Sequence, residues 1–154
     1  MPYKKSLKRT GVHCIIDRQK KYMKGREMSG FEKGWNPFME YNGIETESVS
    51  ADKSVLVAHI GKDSKNPYGC IHGGLIYTMI DCCAGITARA DGNKYVTQNS
   101  YVNYLSNTAE DDDIYAQSDV IRRGNSVVVV HVRVYTKEGK DLADGTVDMF
   151  RIAG

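Results

Sequence analysis

The sequence predicts an α+β domain in which one long helix lies against a largely antiparallel sheet. Three observations predict it. Only one stretch, Gly73 to Ala90, is both long and helical in period, and it stops at Asp91-Gly92-Asn93. Six other segments are rich in Val, Ile, Tyr and Thr and alternate with a period of two. Short turns join most of these segments, which favours antiparallel neighbours.

The elements follow in order. Residues 1–35 are polar and rich in Lys, with a helix expected around Val12 to Lys24. They read as a lead-in to a single domain spanning 36–154. From Asn42-Gly43 the period becomes two. Ile44 to Ser50 and Ser54 to Ile60 are expected strands, separated by a turn at Ala51-Asp52-Lys53. The loop from Gly61 to Ile71 contains Asn66-Pro67, and the proline biases Asn66 toward an extended backbone. After the helix come four expected strands: Tyr95 to Leu105, Asp113 to Arg122, Ser126 to Thr136 and Leu142 to Ile152. Turns at Ala109 to Asp112, Gly124-Asn125 and Glu138-Gly139-Lys140 make them read as a meander. Val128, Val130, Val132 and Val134 alternate with His131, Arg133 and Tyr135, giving one buried face and one wetter face.

Composition excludes several classes. The net charge is +2, and acidic and basic residues interleave, so no nucleic-acid partner is expected. No apolar run approaches the ~20 residues of a membrane span. The apolar stretch Val12 to Ile16 is broken by His13 and is too short for a signal-peptide core, so a cytoplasmic location is expected. Cys14, Cys70, Cys82 and Cys83 have no C-x-x-C spacing; reduced thiols are expected, and no metal centre. The acidic run Glu110 to Asp113 reads as a solvated loop.

The helix carries the chemistry. On a wheel of about 100° per residue, Leu75, Ile76, Met79, Cys83 and Ile86 form an apolar stripe for the sheet. Opposite lie Gly74, Tyr77, Asp81, Ala84, Gly85 and Ala88, and Asp81 is the only charge before Arg89. Asp81 either points simply to water or faces a site at an interface. A solvated face normally carries Lys, Glu and Gln, and glycines inside a helix cost about 1 kcal/mol each relative to Ala. Both points favour the interface, where partial desolvation suits a general base. His72-Gly73-Gly74 stands where the helix begins. The first amides of a helix lack internal partners, and glycines let a substrate carbonyl approach them, so an oxyanion site is expected there. His72 either orients this turn or takes part in chemistry.

The pattern Asn66-x-x-Gly69-x-x-His72-Gly73-Gly74, followed by Asp81, resembles the phenylacetyl-CoA thioesterase (PaaI-like) branch of the hotdog thioesterases. The resemblance covers residues 36 to 152 and reaches Arg122-Arg123-Gly124. It implies a five- or six-stranded sheet wrapped around the central helix. It implies homodimers joined edge to edge, often paired into tetramers, with an acyl-CoA site at the dimer interface. Asp81 would then activate water or act as nucleophile. The Gly73 amide would polarise the thioester carbonyl beside Gly74, and Asn66 would position water or substrate. Thr97 would assist the carboxylate, a place for which Gln98 and Asn99 also compete. Arg122 and Arg123 would meet coenzyme A phosphates, or else sit in a solvated turn. No cofactor is implied beyond coenzyme A as part of the substrate.

The expected activity is therefore acyl-CoA thioester hydrolysis. A thioester carbonyl is electrophilic and a thiolate leaves readily, so one carboxylate, one water and one oxyanion donor suffice. The sequence has no G-x-S-x-G, no phosphate loop and no H-x-x-x-H pair. The alternatives are a noncatalytic acyl-CoA or small-ligand binder on the same fold, and a hydratase or dehydratase acting on acyl thioesters.

Overall fold

The structure is a computed structural model and describes residues 36–153. The expected lead-in at residues 1–35, with its helix at Val12 to Lys24, lies outside the described residues. A short helix, α1 (Pro37–Tyr41), opens the described chain. Asn36 caps it, its side-chain oxygen accepting from the Met39 amide at 2.9 Å, and Pro37 occupies the first turn. The sequence reading did not anticipate this element, because five residues carry too little periodicity.

The strands are β1 (Ile44–Ser48), β2 (Val55–Ala58), β3 (Tyr95–Tyr104), β4 (Ile114–Arg123), β5 (Val127–Thr136) and β6 (Asp141–Arg151). The long helix is α2 (Gly73–Arg89), about 25 Å at 1.5 Å per residue. All strand pairs are antiparallel, in the order β1-β2-β4-β5-β6-β3. The six-stranded sheet and its single main helix are the hotdog arrangement.

One expectation about connectivity is corrected. The last four strands do not form a simple meander, because β3 pairs with β6 and not with β4. The reason is the connection from Leu105 to Asp113, which is too long for a tight hairpin. It passes the loop that precedes α2, where Ile71 N–H donates to Thr108 O and the Asn107 side-chain amide donates to Ile71 O. The crossover makes β3 an edge strand.

The core lies between α2 and the inner face of the sheet. Ile76, Met79, Ile80 and Cys83 of the helix pack among Val128, Val130, Val132 and Val134 of β5 and Val147 and Met149 of β6, all essentially inaccessible. The alternation in β5 is the one the sequence predicts, valines inward and His131, Arg133 and Tyr135 half-exposed. A buried polar chain ties the far half of α2 to β4. Thr87 Oγ1 donates to Cys83 O or shares its hydrogen with Ser118 Oγ, 2.6 Å away, and Ser118 Oγ accepts from Ser54 N–H. Buried hydroxyls that are all satisfied fix the helix rotation without an unpaired-group penalty.

Candidate active site

Asp81 sits in the middle of α2, half-buried, on the side that meets β3. The Thr97 hydroxyl donates to its Oδ1 at 2.6 Å. Thr97 can do this because of a β-bulge. The register of β3 against β6 shifts between Thr97 and Asn99, leaving Gln98 unpaired. A bulge re-aims the residues beside it. Thr97 pairs with the core residue Met149 and so shares its helix-facing side, whereas Asn99 pairs with Asp148 on the outer side. Of the three candidates Thr97, Gln98 and Asn99, Thr97 is the one bonded to Asp81. The second oxygen of Asp81 has no hydrogen-bond partner among the described residues.

The start of α2 is organised by side chains. His72 is the N-cap, and its Nδ1 accepts from Gly74 N–H at 2.9 Å. An Nδ1 that accepts cannot carry a proton, so the imidazole hydrogen belongs on Nε2. The Leu75 and Ile76 amides donate to His72 O. That leaves the Gly73 N–H without a partner among the described residues. Of the two glycine amides, Gly73 is therefore available to a ligand, and Gly74 is used internally.

Asn66 shapes the loop before the helix. Its side-chain oxygen accepts from Tyr68 N–H at 2.9 Å and Cys70 N–H at 3.2 Å, and Gly69 follows with φ +80°. This is an Asx-turn, the local backbone mimicry that Asn performs well. The Asn66 side-chain nitrogen makes no bond among the described residues.

Arg123 is placed away from the start of the helix. Its guanidinium donates to Thr87 O and Ala88 O at the C-terminal end of α2, to Ala51 O, and to Asp91 at 2.8 Å. It thereby satisfies carbonyls that a helix end leaves open. Arg122 is exposed and lines an open groove of about 400 Å³ with Gly124, Asn125, Ser126, Val127 and Val129. This groove belongs to the β4–β5 hairpin and does not include Asp81.

The small-residue face of α2 is closed over, not open as the sequence predicts. Ala84, Gly85 and Ala88 are buried within the chain, so they do not form an open surface around Asp81. Gly85 is covered by Arg89: a Cβ there would stand 3.0 Å from the Arg89 Nη1. Burial lowers the Arg89 guanidinium somewhat, against the charges of Cys82 and Asp81. Burial also pushes the Cys83 thiol up to about 12 and Cys82 up to about 11, the latter aided by the Asp81 charge. Cys70, Cys82 and Cys83 are free thiols. Among the described residues no cluster of His, Cys, Asp and Glu could hold a metal ion. Asp111 of the acidic run pairs with Lys65, and Asp113 with His59.

The helix-borne carboxylate and free amide coincide with a family match. Residues 68–143 match the thioesterase superfamily. The span includes Gly73, Asp81 and Thr97 and leaves out Asn66. No curated protein matches the chain. Among solved structures, a hypothetical thioesterase of Streptococcus pneumoniae TIGR4 with coenzyme A is 26% identical, with a TM-score of 0.69 over 73% of this chain and 91% of that one. Two further structures of that protein, each 25% identical, carry alanine in place of an aspartate and of a threonine. The two positions are sixteen residues apart, the spacing of Asp81 and Thr97. A Streptococcus mutans UA159 protein bound to acetyl CoA is 26% identical, with a TM-score of 0.68 over 71% of this chain and 89% of that one. The phenylacetic acid degradation protein PaaI of Thermus thermophilus shares the fold, at 21% identity and a TM-score of 0.72 over 76% of this chain and 100% of that one. No helix among the described residues is long and apolar enough to cross a membrane.

Proposed function

We propose that this protein is an acyl-CoA thioesterase of the PaaI-like branch, with Asp81 as general base. The observation that carries the reading is the Thr97–Asp81 hydrogen bond. It occupies one carboxylate oxygen and leaves the other without a partner among the described residues, free to take a proton from water. The water then attacks the thioester carbonyl. The Gly73 N–H stabilises the oxyanion, the carbon–sulfur bond breaks, and the leaving thiolate receives the proton that Asp81 took, which releases coenzyme A and a carboxylic acid and restores the carboxylate. The S. pneumoniae relative, with coenzyme A bound and the same residue types substituted at the same spacing, supports this assignment.

Distance along the helix supports a homodimer. Gly73 and Asp81 are eight residues apart, about 12 Å of rise. One thioester carbonyl cannot meet both within a single chain, since its oxyanion donor and its attacking water must each lie about 3 Å away. The Gly73 amide of one copy would therefore work with Asp81 of another. The edge of β3, which carries Thr97 and is unpaired among the described residues, supplies a surface for such pairing, and a dimer of dimers extends it. Asn66, through its free side-chain nitrogen, would position substrate or water. His72 and Gly74 hold the Gly73 amide in place. Arg122, the free one of the two arginines, would meet coenzyme A phosphate, with Arg123 bracing the helix. We place the protein in the cytoplasm, where its free thiols stay reduced.

The test is thiol release from a panel of aromatic and aliphatic acyl-CoAs, with Asp81→Asn beside the wild type. Hydrolysis of at least one thioester is expected, with a loss of roughly a hundredfold or more in the variant. Wild-type rates in Asp81→Asn would overturn the site. Binding of acyl-CoA without any hydrolysis would favour the noncatalytic binder.

A further inference from the structure

We propose that Tyr104 is a positioning residue for the carbonyl-polarising amide, acting with His72 to clamp the peptide unit between Gly73 and Gly74. The inference rests on the thioesterase reading above. Both ends of that one peptide are held by side chains. Its N–H, on Gly74, donates to His72 Nδ1 at 2.9 Å. Its carbonyl, on Gly73, accepts from the Tyr104 hydroxyl at 3.0 Å. The Tyr104 ring also lies against Gly73, where an added Cβ would be 3.4 Å from ring carbon Cε1 and 3.6 Å from Cζ.

The physical need for a clamp follows from the sequence. Two successive glycines are a loose way to begin a helix, since neither has a Cβ to restrict its backbone. A donor that stabilises developing charge must already be aimed when the charge appears. Fixing the Gly73–Gly74 peptide at both ends restricts the Gly73 N–H one residue earlier, while leaving that N–H free to donate. The phenol ring lies against Gly73 at van der Waals distance, so it covers the start of the helix while its hydroxyl makes the bond.

The same strand supports both reacting groups. Thr97 stands near one end of β3 and bonds Asp81; Tyr104 stands at the other end and bonds Gly73. In the dimer proposed above, each β3 thus sets the carboxylate of one site and the amide of the other. Any shift of β3 against α2 would disturb both.

Tyr104→Phe keeps the ring and deletes only the hydroxyl. We expect kcat to fall by about tenfold with KM within about twofold of wild type, because only transition-state stabilisation is lost. Tyr104→Leu, which removes the ring as well, should lose more. Hydrogen exchange of the Gly74 amide, followed by NMR on native protein, should speed up in Tyr104→Phe. That readout is independent of turnover, and amides in the middle of α2 serve as the control: a faster Gly74 with unchanged mid-helix exchange marks a local loosening and not a global loss of stability. An unchanged kcat, a raised KM with kcat intact, or unchanged Gly74 exchange would each overturn the clamp. Failure of the thioesterase reading would show separately, as absence of hydrolysis in wild type or full activity in Asp81→Asn.

Discussion

The Thr97 hydroxyl donates a 2.6 Å hydrogen bond to Oδ1 of Asp81, joining the edge strand β3 to the middle of α2. The carboxylate is thereby held by a residue sixteen positions further along the chain. A hydrogen bond to a charged group is worth about 1.5–3 kcal/mol, and each 1.36 kcal/mol is about tenfold in rate. Thr97→Val keeps the shape and removes the donor, so kcat should fall by at least about tenfold. Thr97→Ser should recover most of it. Steady-state kinetics on a good acyl-CoA substrate decide this, and equal rates in the Val and Ser variants would remove Thr97 from the machinery.

His72 is expected to act as a cap and not as an acid or base. Its Nδ1 satisfies the Gly74 amide at the first turn of α2. Replacing an N-cap side chain by Ala costs about 1 kcal/mol, whereas Asn caps well. His72→Ala should therefore lower stability in urea titrations by about that amount, with a loss of activity from a misaimed Gly73 amide. His72→Asn should retain stability and most of the activity. Loss of activity in His72→Asn as complete as in Asp81→Asn would instead mean that the imidazole does chemistry.

Arg123 should matter for stability and little for coenzyme A. Its guanidinium ties Ala51, Thr87, Ala88 and Asp91 together. Removing it leaves several half-buried acceptors open, and Arg123→Met should cost about 2–4 kcal/mol with KM almost unchanged. Arg122→Ala should do the reverse, raising KM for acyl-CoA with little effect on unfolding. The same cluster gives a pH dependence. Burial pushes the Asp91 carboxyl up, but the Asn93 and Tyr95 hydrogen bonds and the Arg123 charge hold it below the ordinary 3.8. A carboxyl depressed on folding stabilises fully above its unfolded pKa, and that stability is lost as pH falls through the folded value. Asp91→Asn should flatten this acid limb of the stability curve below pH 3.8, measured by denaturant titration at stepped pH.

The sequence by itself determined the elements and singled out the residues of the candidate site. Period and punctuation placed α2 from Gly73 and all six strands to within a residue or two, because a helix face and a strand face leave different local periods. Asp81 stood out as the only charge on its stretch of helix, and His72-Gly73-Gly74 marked the open amides of a helix start. What only the tertiary structure decided are the relationships between distant segments. The crossover of β3 to β6 depends on where a nine-residue connection runs, which no local pattern encodes. The choice of Thr97 over Gln98 and Asn99 turns on a bulge, and a bulge changes which face a side chain takes without changing composition. The commitment of Arg123 to the end of α2, the covering of Gly85 by Arg89, and the reach of Tyr104 to Gly73 are likewise products of packing. A residue's type limits the bonds it can make; the fold decides which partner comes within reach of it.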